Sequence, residues 1–285
     1  MKQILPLFLL IFAFACSKDT NLIPGNTAPP DNTVEDQTII NYINKSYISL
    51  LSREPNSQEL QTAFDALRAD DFSDTSRVEF LQTVIDDPAY LDNVYANARE
   101  ELLRGADTTD IYIQWNGLMQ ALNDPNLAPF YPLIQEEIDR MEDLMDVPED
   151  LASGAIDVTE MYRRVVNNSL YDDFNMGTEN FIISTFQFFL HRSPTGTELE
   201  ECTKIVDDNE GVMFLQTGES KDDYLDIFFA SDGYYEGQVI YLYEKYLFRT
   251  PLSEEMSFYA QIYKANNNYP ELQTLILSQD EFAGL

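Results

Sequence analysis

The side chains best suited to chemistry are few, and their spacing excludes most reactions. His191 is the sole histidine. A serine–histidine–aspartate triad or a histidine metal cluster therefore has nothing to be built from. His191 itself reads as an exposed or half-buried residue at a helix end. The two cysteines, Cys16 and Cys202, form no CxxC or CxxCH motif. Carboxylates number 50, and glycoside hydrolysis needs only two of them several ångströms apart, but no spacing singles out a pair. Asp172-Asp173-Phe174-Asn175-Met176-Gly177-Thr178-Glu179 has the flavour of a calcium loop. It fails the EF-hand pattern, because its glycine comes too early and the closing glutamate is misplaced. It reads instead as a polar turn, with Asn175 or Thr178 capping the next helix. No metal and no cofactor are expected.

The chain carries 17 basic against 50 acidic residues, a net charge of −33. That field repels phosphate backbones, so nucleic acid is excluded as a partner. Aromatics make up 13% of the chain. At helical spacing Phe186, Phe188, Phe189, Tyr234, Tyr243 and Tyr246 read as core; Tyr235 and Tyr241 are the candidates for ligand-contacting surface aromatics. Glycine, at 11 in 285 residues, is scarce enough to favour helices over turn-rich sheets.

The elements that position these residues come from a repeat. Tyr47-Ile-Ser-Leu50-Leu51-Ser-Arg53-Glu-Pro55 runs on to Glu59-Leu60. The second copy, Phe186 to Pro194, runs on to Glu198-Leu199, and the third, Tyr243 to Pro251, to Glu255-Met256. The shared pattern is aromatic-x-x-apolar-Leu-x-Arg-x-Pro-x-x-x-Glu-Leu/Met. Apolar residues upstream recur at helical spacing, such as Ile40, Ile43, Tyr47 and Leu50. Arg53, Arg192 and Arg249 are read as last-turn cations that meet the carbonyl end of the helix dipole and pair with the repeat glutamates. Pro55, Pro194 and Pro251 are read as the helix stops. Asn56 and Thr195 then cap a new helix, with Glu59 and Glu198 completing capping boxes. Leu252 holds the cap place in the third copy, so Ser253 serves instead or that helix starts less well capped. A third short helix closes each unit, ending near Tyr90, Tyr234 and Phe282.

These residues resemble a helical bacterial domain family of unknown function. Its copies read Tyr-x-x-Leu-Leu-x-Arg-x-Pro-x-x-x-Gly/Glu-Leu and close with Ser-x-Glu-Phe, and it is similar to phycobilisome linker domains. Ser278-Gln-Asp-Glu281-Phe282 is close to the closing motif, and Ser231-Asp-Gly-Tyr234 is a looser match. Glu59, Glu198 and Glu255 stand where the family often has glycine. The resemblance covers residues 39–90 and 180–285. It implies an all-helical fold and a role in contacts, and it carries no catalytic residue.

The first residues point to an address. Met1-Lys2-Gln3 is a short basic start, and the segment from Ile4 to Ala15 is almost wholly apolar, too short to span a bilayer. Ala13 and Ala15 before Cys16 resemble a bacterial lipobox, with Ala13 where leucine is usual, as looser Bacteroidetes lipoboxes allow. The other readings are an ordinary signal peptide with a chance cysteine, or a core segment. With Cys16 acylated, Cys202 has no partner and reads as a small buried apolar residue. Residues 17–36, rich in Asn, Thr, Pro and Asp, form a tether reaching roughly 25 Å. Ser17-Lys18-Asp19 resembles a weak cell-surface export tag, which leaves the face of the outer membrane open.

The expected architecture is all-α. It comprises a signal peptide (1–15), a lipidated tether (16–36), repeat unit 1 (37–95), a helical insertion (96–178), repeat unit 2 (179–236) and repeat unit 3 (237–285). The expected function is a non-enzymatic scaffold or protein-interaction lipoprotein of the outer membrane, with an envelope protein as partner. Glycan binding for nutrient capture is the alternative, and an acid-pair hydrolase the third.

Overall fold

A computed structural model describes residues 34–285. Cys16, the signal peptide and nearly all of the tether lie outside the described residues. Val34–Leu285 form one compact unit, and the fold is all-α: fifteen α-helices, one 3-10 turn and a single two-stranded hairpin among the described residues.

Three groups of helices follow the three repeat copies. The first holds α1 (Asp36–Leu51), α2 (Ser57–Ala69) and α3 (Asp74–Ile85), packed pairwise. The second holds α9 (Thr178–Phe189), α10 (Gly196–Val206) and α11 (Lys221–Phe229). Its α10–α11 connection contains the hairpin β1 (Gly211–Met213) and β2 (Gln216–Gly218), paired antiparallel with Val212 opposite Thr217. The third holds α12 (Asp232–Leu247), α13 (Ser253–Asn266) and α14 (Tyr269–Leu277), followed by the short α15 (Asp280–Ala283). The closing aromatics Tyr90 and Tyr234 do not end a unit. They sit in the first turn of the next helix, with Ser231 Oγ accepting from the Tyr234 N–H at 3.2 Å. The hairpin is three residues a side, too short for an alternating pattern to mark it in the sequence.

Between the first and second groups lie α4 (Ala89–Leu102), α5 (Thr108–Ala121), the 3-10 turn Pro125–Phe130, α6 (Tyr131–Ser153), α7 (Val158–Val166) and α8 (Ser169–Phe174). Helix α6 runs to Ser153, straight through Pro148. Proline leaves the carbonyl four residues back without its helical donor. Here that carbonyl is Leu144 O, and Tyr95 of α4 donates its hydroxyl to it at 3.2 Å. The helix continues because a neighbour supplies the missing bond.

The core is continuous from the first helix to the last. Tyr42 on α1 meets Phe282 on α15 edge-on at 5.8 Å, and the Lys45 ammonium lies 3.8 Å from the same ring. Arg77 on α3 is 1% exposed. It donates to Ser278 O at 2.8 Å, Phe72 O at 3.1 Å and Asp280 Oδ1 at 2.6 Å. A buried guanidinium is tolerated when each donor finds an acceptor, and these bonds clamp the chain's end onto α3. Tyr90 on α4 donates to Gln273 of α14 at 2.5 Å, and Gln273 donates to Tyr246 at 3.0 Å.

Helices α9 and α12 cross at closest approach where α12 has no side chain. A Cβ placed on Gly237 would stand 1.7 Å from the Phe189 carbonyl oxygen. Gly237→Ala is expected to cost roughly 2–4 kcal/mol through forced separation of the helices. Gly117→Ala in exposed α5, where an added methyl meets nothing within 4 Å, is expected to gain about 0.5–1 kcal/mol from helix propensity. Urea midpoints of the two variants should move in opposite directions; a shift of the same sign would contradict the crossing geometry.

Candidate functional site

Each repeat motif builds the same corner. Helix α1 ends at Leu51, before the arginine, and Ser52 turns left-handed with φ 53°. His191 (φ 51°) and Phe248 (φ 56°) do the same at the ends of α9 and α12. The arginines therefore lie beyond the helix rather than in its last turn, which corrects the sequence reading. A left-handed non-glycine residue costs about 1–2 kcal/mol, so the corner needs a compensating tie. The prolines follow the helix end by several residues and directly precede the next cap, so the helix stops before they are reached.

The tie is an arginine fork. Arg53 donates to Glu59 through Nη1 and Nη2, both at 2.9 Å. Arg192 holds Glu198 at 2.8 and 2.7 Å, and Arg249 holds Glu255 at 2.8 and 2.8 Å. Each Nη1 also reaches the carbonyl of the following residue, Glu54, Ser193 or Thr250, at 3.2 to 3.3 Å. Each guanidinium stacks on the motif's aromatic six residues back: Tyr47 at 5.2 Å, Phe186 at 5.0 Å, Tyr243 at 4.9 Å. The same glutamate accepts the N–H of the cap residue, Asn56, Thr195 or Leu252, at 2.7 to 2.8 Å. Planar bidentate pairing with stacking is chemistry that arginine does and lysine does not. Asn56 and Thr195 complete capping boxes. Leu252 has no acceptor to offer, so the third corner keeps half a box, and Ser253 is the first residue of α13 rather than its cap.

The corners differ in a second acid. Arg53 also pairs with Asp87 at 2.9 Å and Arg249 with Glu281 at 2.8 Å. The residues of the second unit at those two registers are Ser231 and Gly233, and Arg192 pairs with Glu198 alone. The repeat closing segment thus supplies a partner that the motif spacing did not reveal.

Other sequence candidates are absorbed by structure. Tyr235 is 9% exposed and packs edge-on against Tyr234 and Tyr263 at 5.2 Å, so it offers no stacking face; that expectation is corrected. Tyr241 is half-buried. It donates to Glu101 Oε1 at 2.9 Å and accepts from Lys245 Nζ at 2.6 Å, joining α12 to α4 across 140 residues. Burial lowers the proton affinity of Lys245, while Glu101 acts in the opposite sense. No local sequence signal marks this trio. The His191 imidazole is held below its usual range by burial, opposed by Glu244 at 3.7 Å. The Cys202 thiol is buried and pushed up to about 12 by desolvation, which makes it inert.

The calcium-like stretch is mostly helix. Asp172 on α8 accepts twice from Lys221 at 2.8 Å. Asn175 ends α8, and Thr178 donates to Asp207 at 2.5 Å. Gly177, not either of these, stands at the start of α9, a correction that follows from its φ of 90°. Among the described residues no group of three or more His, Cys, Asp or Glu is placed to hold a metal ion. Burial raises the Glu137 carboxyl, yet its oxygen accepts the Ser169 N–H that opens α8.

A depression lies beside the first corner, between α2 and α3. It holds about 830 Å³ over Tyr47, Ala63 and Phe80, rimmed by Thr62, Asp70 and Glu79. Its lining contains no Lys or Arg. No protein-family model, no curated protein and no solved structure matches the chain.

The fork makes stability depend on pH with a definite sign. Arg192 and the Thr195 N–H hold Glu198 down at about 2, against an ordinary 4.5. A depressed carboxyl stabilises fully above its unfolded value, and that contribution fades as pH falls toward the folded one. Glu59 and Glu255 are lowered for the same cause. Glu198→Gln is expected to lower the melting temperature at about pH 7 and to approach the parent chain by about pH 3. A constant gap between the two melting curves across that range would contradict the assignment.

Proposed function

We propose that the protein is a non-enzymatic contact module of a bacterial outer membrane, held there by acyl chains on Cys16. One observation carries the contact reading. The arm α5–α6, with the 3-10 turn between them, turns large apolar side chains to water: Ile113 is 63% and Leu133 65% exposed, with Tyr112 and Phe130 alongside. Helix α5 packs chiefly on α6 and to a lesser extent on α8, and buries only Ile111 fully. Soluble monomers seldom leave several large apolar residues uncovered along one arm unless something docks there. The acids of α6, among them Glu136, Asp139 and Asp143, favour a partner with a basic rim around an apolar centre.

The anchor reading rests on Ala13-Phe14-Ala15-Cys16 and the apolar run before it. No helix among the described residues is long and apolar enough to cross a membrane. Capture of a glycan by the hydroxyl-rich depression beside the first corner is the second reading, favoured by the Thr62, Thr75, Ser76 and Thr83 side chains along it.

Cross-linked pull-down from envelope membranes is expected to recover a partner protein with the parent chain. Capture should fall by about tenfold or more with Ile113→Asp plus Leu133→Asp, while helical circular dichroism stays unchanged. Equal capture by both would remove the arm from the account. Cys16→Ser is expected to move the protein from the membrane to the soluble fraction; a variant that stays membrane-bound would refute the anchor.

A further inference from the structure

The three corners share a register, and that register shows what the first one lacks. In the second unit Phe214, from the tip of the β1–β2 hairpin, lies 6.1 Å from the motif aromatic Phe186. In the third unit Tyr259 of α13 lies 6.1 Å from the motif aromatic Tyr243. Two unrelated parts of the chain thus each bring a further ring to the same distance from the motif aromatic. Ten residues after the motif arginine, where the third unit has Tyr259, the first unit has Ala63. Its α2–α3 connection, Asp70–Ser73, is too short to carry a hairpin like the one between α10 and α11. Phe80 of α3 lies 6.3 Å from Tyr47 and both rings are largely buried, yet their edges and Ala63 still line a depression of about 830 Å³ between α2 and α3.

The rim gives the occupant a charge. Glu79 and Asp70 stand at its edges with hydroxyl side chains between them. Glu59 is already neutralised by Arg53. A chain of net charge −33 disfavours a second copy of itself at this place and attracts a cationic segment. The volume matches one aromatic side chain with a few flanking residues.

We propose that the α2–α3 groove receives an aromatic side chain from a positively charged partner segment. That ring takes the position that Phe214 fills in the second unit and Tyr259 in the third. The inference rests on the contact-module reading but uses a surface separate from the α5–α6 arm.

The test is fluorescence anisotropy with two labelled oligolysine peptides, one with a central phenylalanine and one with alanine there. The phenylalanine peptide is expected to bind at least about tenfold tighter, the worth of one buried ring. Ala63→Tyr, which builds in the third unit's ring, is expected to erase that difference and to raise the melting temperature. Glu79→Lys, an exposed change that spares the core, is expected to weaken both peptides. Equal binding of the two peptides, or a preference that survives Ala63→Tyr, would overturn the proposal. So would a neutral oligosaccharide whose binding Ala63→Tyr blocks, since it would give the groove to a glycan. Loss of the peptide preference with envelope capture through the arm intact would sink this inference alone; loss of both would sink the contact-module reading.

Discussion

A guanidinium clamped between a carboxylate and an aromatic ring is the interaction on which the structure depends. Ser52, His191 and Phe248 each take a left-handed conformation that suits glycine better. Each then hands the chain to a new helix within a few residues. Such a bend holds only if something fixes the direction of departure. Arg53, Arg192 and Arg249 do so by joining the end of one helix, through the ring of its last turns, to the first turn of the next. The repeat glutamate serves twice, as the fork's acceptor and as the cap for the new helix. Removing the glutamate's charge therefore loosens a bend and weakens a cap together.

Because the corners are alike, their differences carry information. The first and third add a second acid from the closing segment, which ties α4 and α15 into their corners. The second does without one and instead gains the hairpin that covers Phe186. The third covers Tyr243 from its own second helix. The first has a depression of about 830 Å³ beside it. The α5–α6 arm extends from the middle of the chain with an apolar surface of its own. The groove and the arm are therefore two separate surfaces, each with apolar side chains at hand.

Much of the fold was legible because helical periodicity and the motif are both local signals. The caps Asn56 and Thr195 follow from spacing alone. What spacing could not show were interactions set by packing. The continuation of α6 past Pro148 depends on Tyr95, some fifty residues upstream. The arginine's departure from the helix depends on φ at a position that holds Ser, His or Phe, none of which signals a left-handed turn. Tyr235 sits at a register that suits either surface or core, and only the neighbouring Tyr234 and Tyr263 decide for the core. The groove was invisible for a related reason. Ala63 is an unremarkable helix residue until its counterpart Tyr259 is seen lying over Tyr243.

The fork's role can be measured directly by a double-mutant cycle on the third corner, with Arg249→Met, Glu255→Gln and the pair of changes together. Urea unfolding at neutral pH gives the coupling between the two side chains. The account predicts that the double variant loses less than the sum of the singles, by about 1–2 kcal/mol. Losses that add to within about 0.3 kcal/mol would mean that the guanidinium and the carboxylate do not hold the corner together.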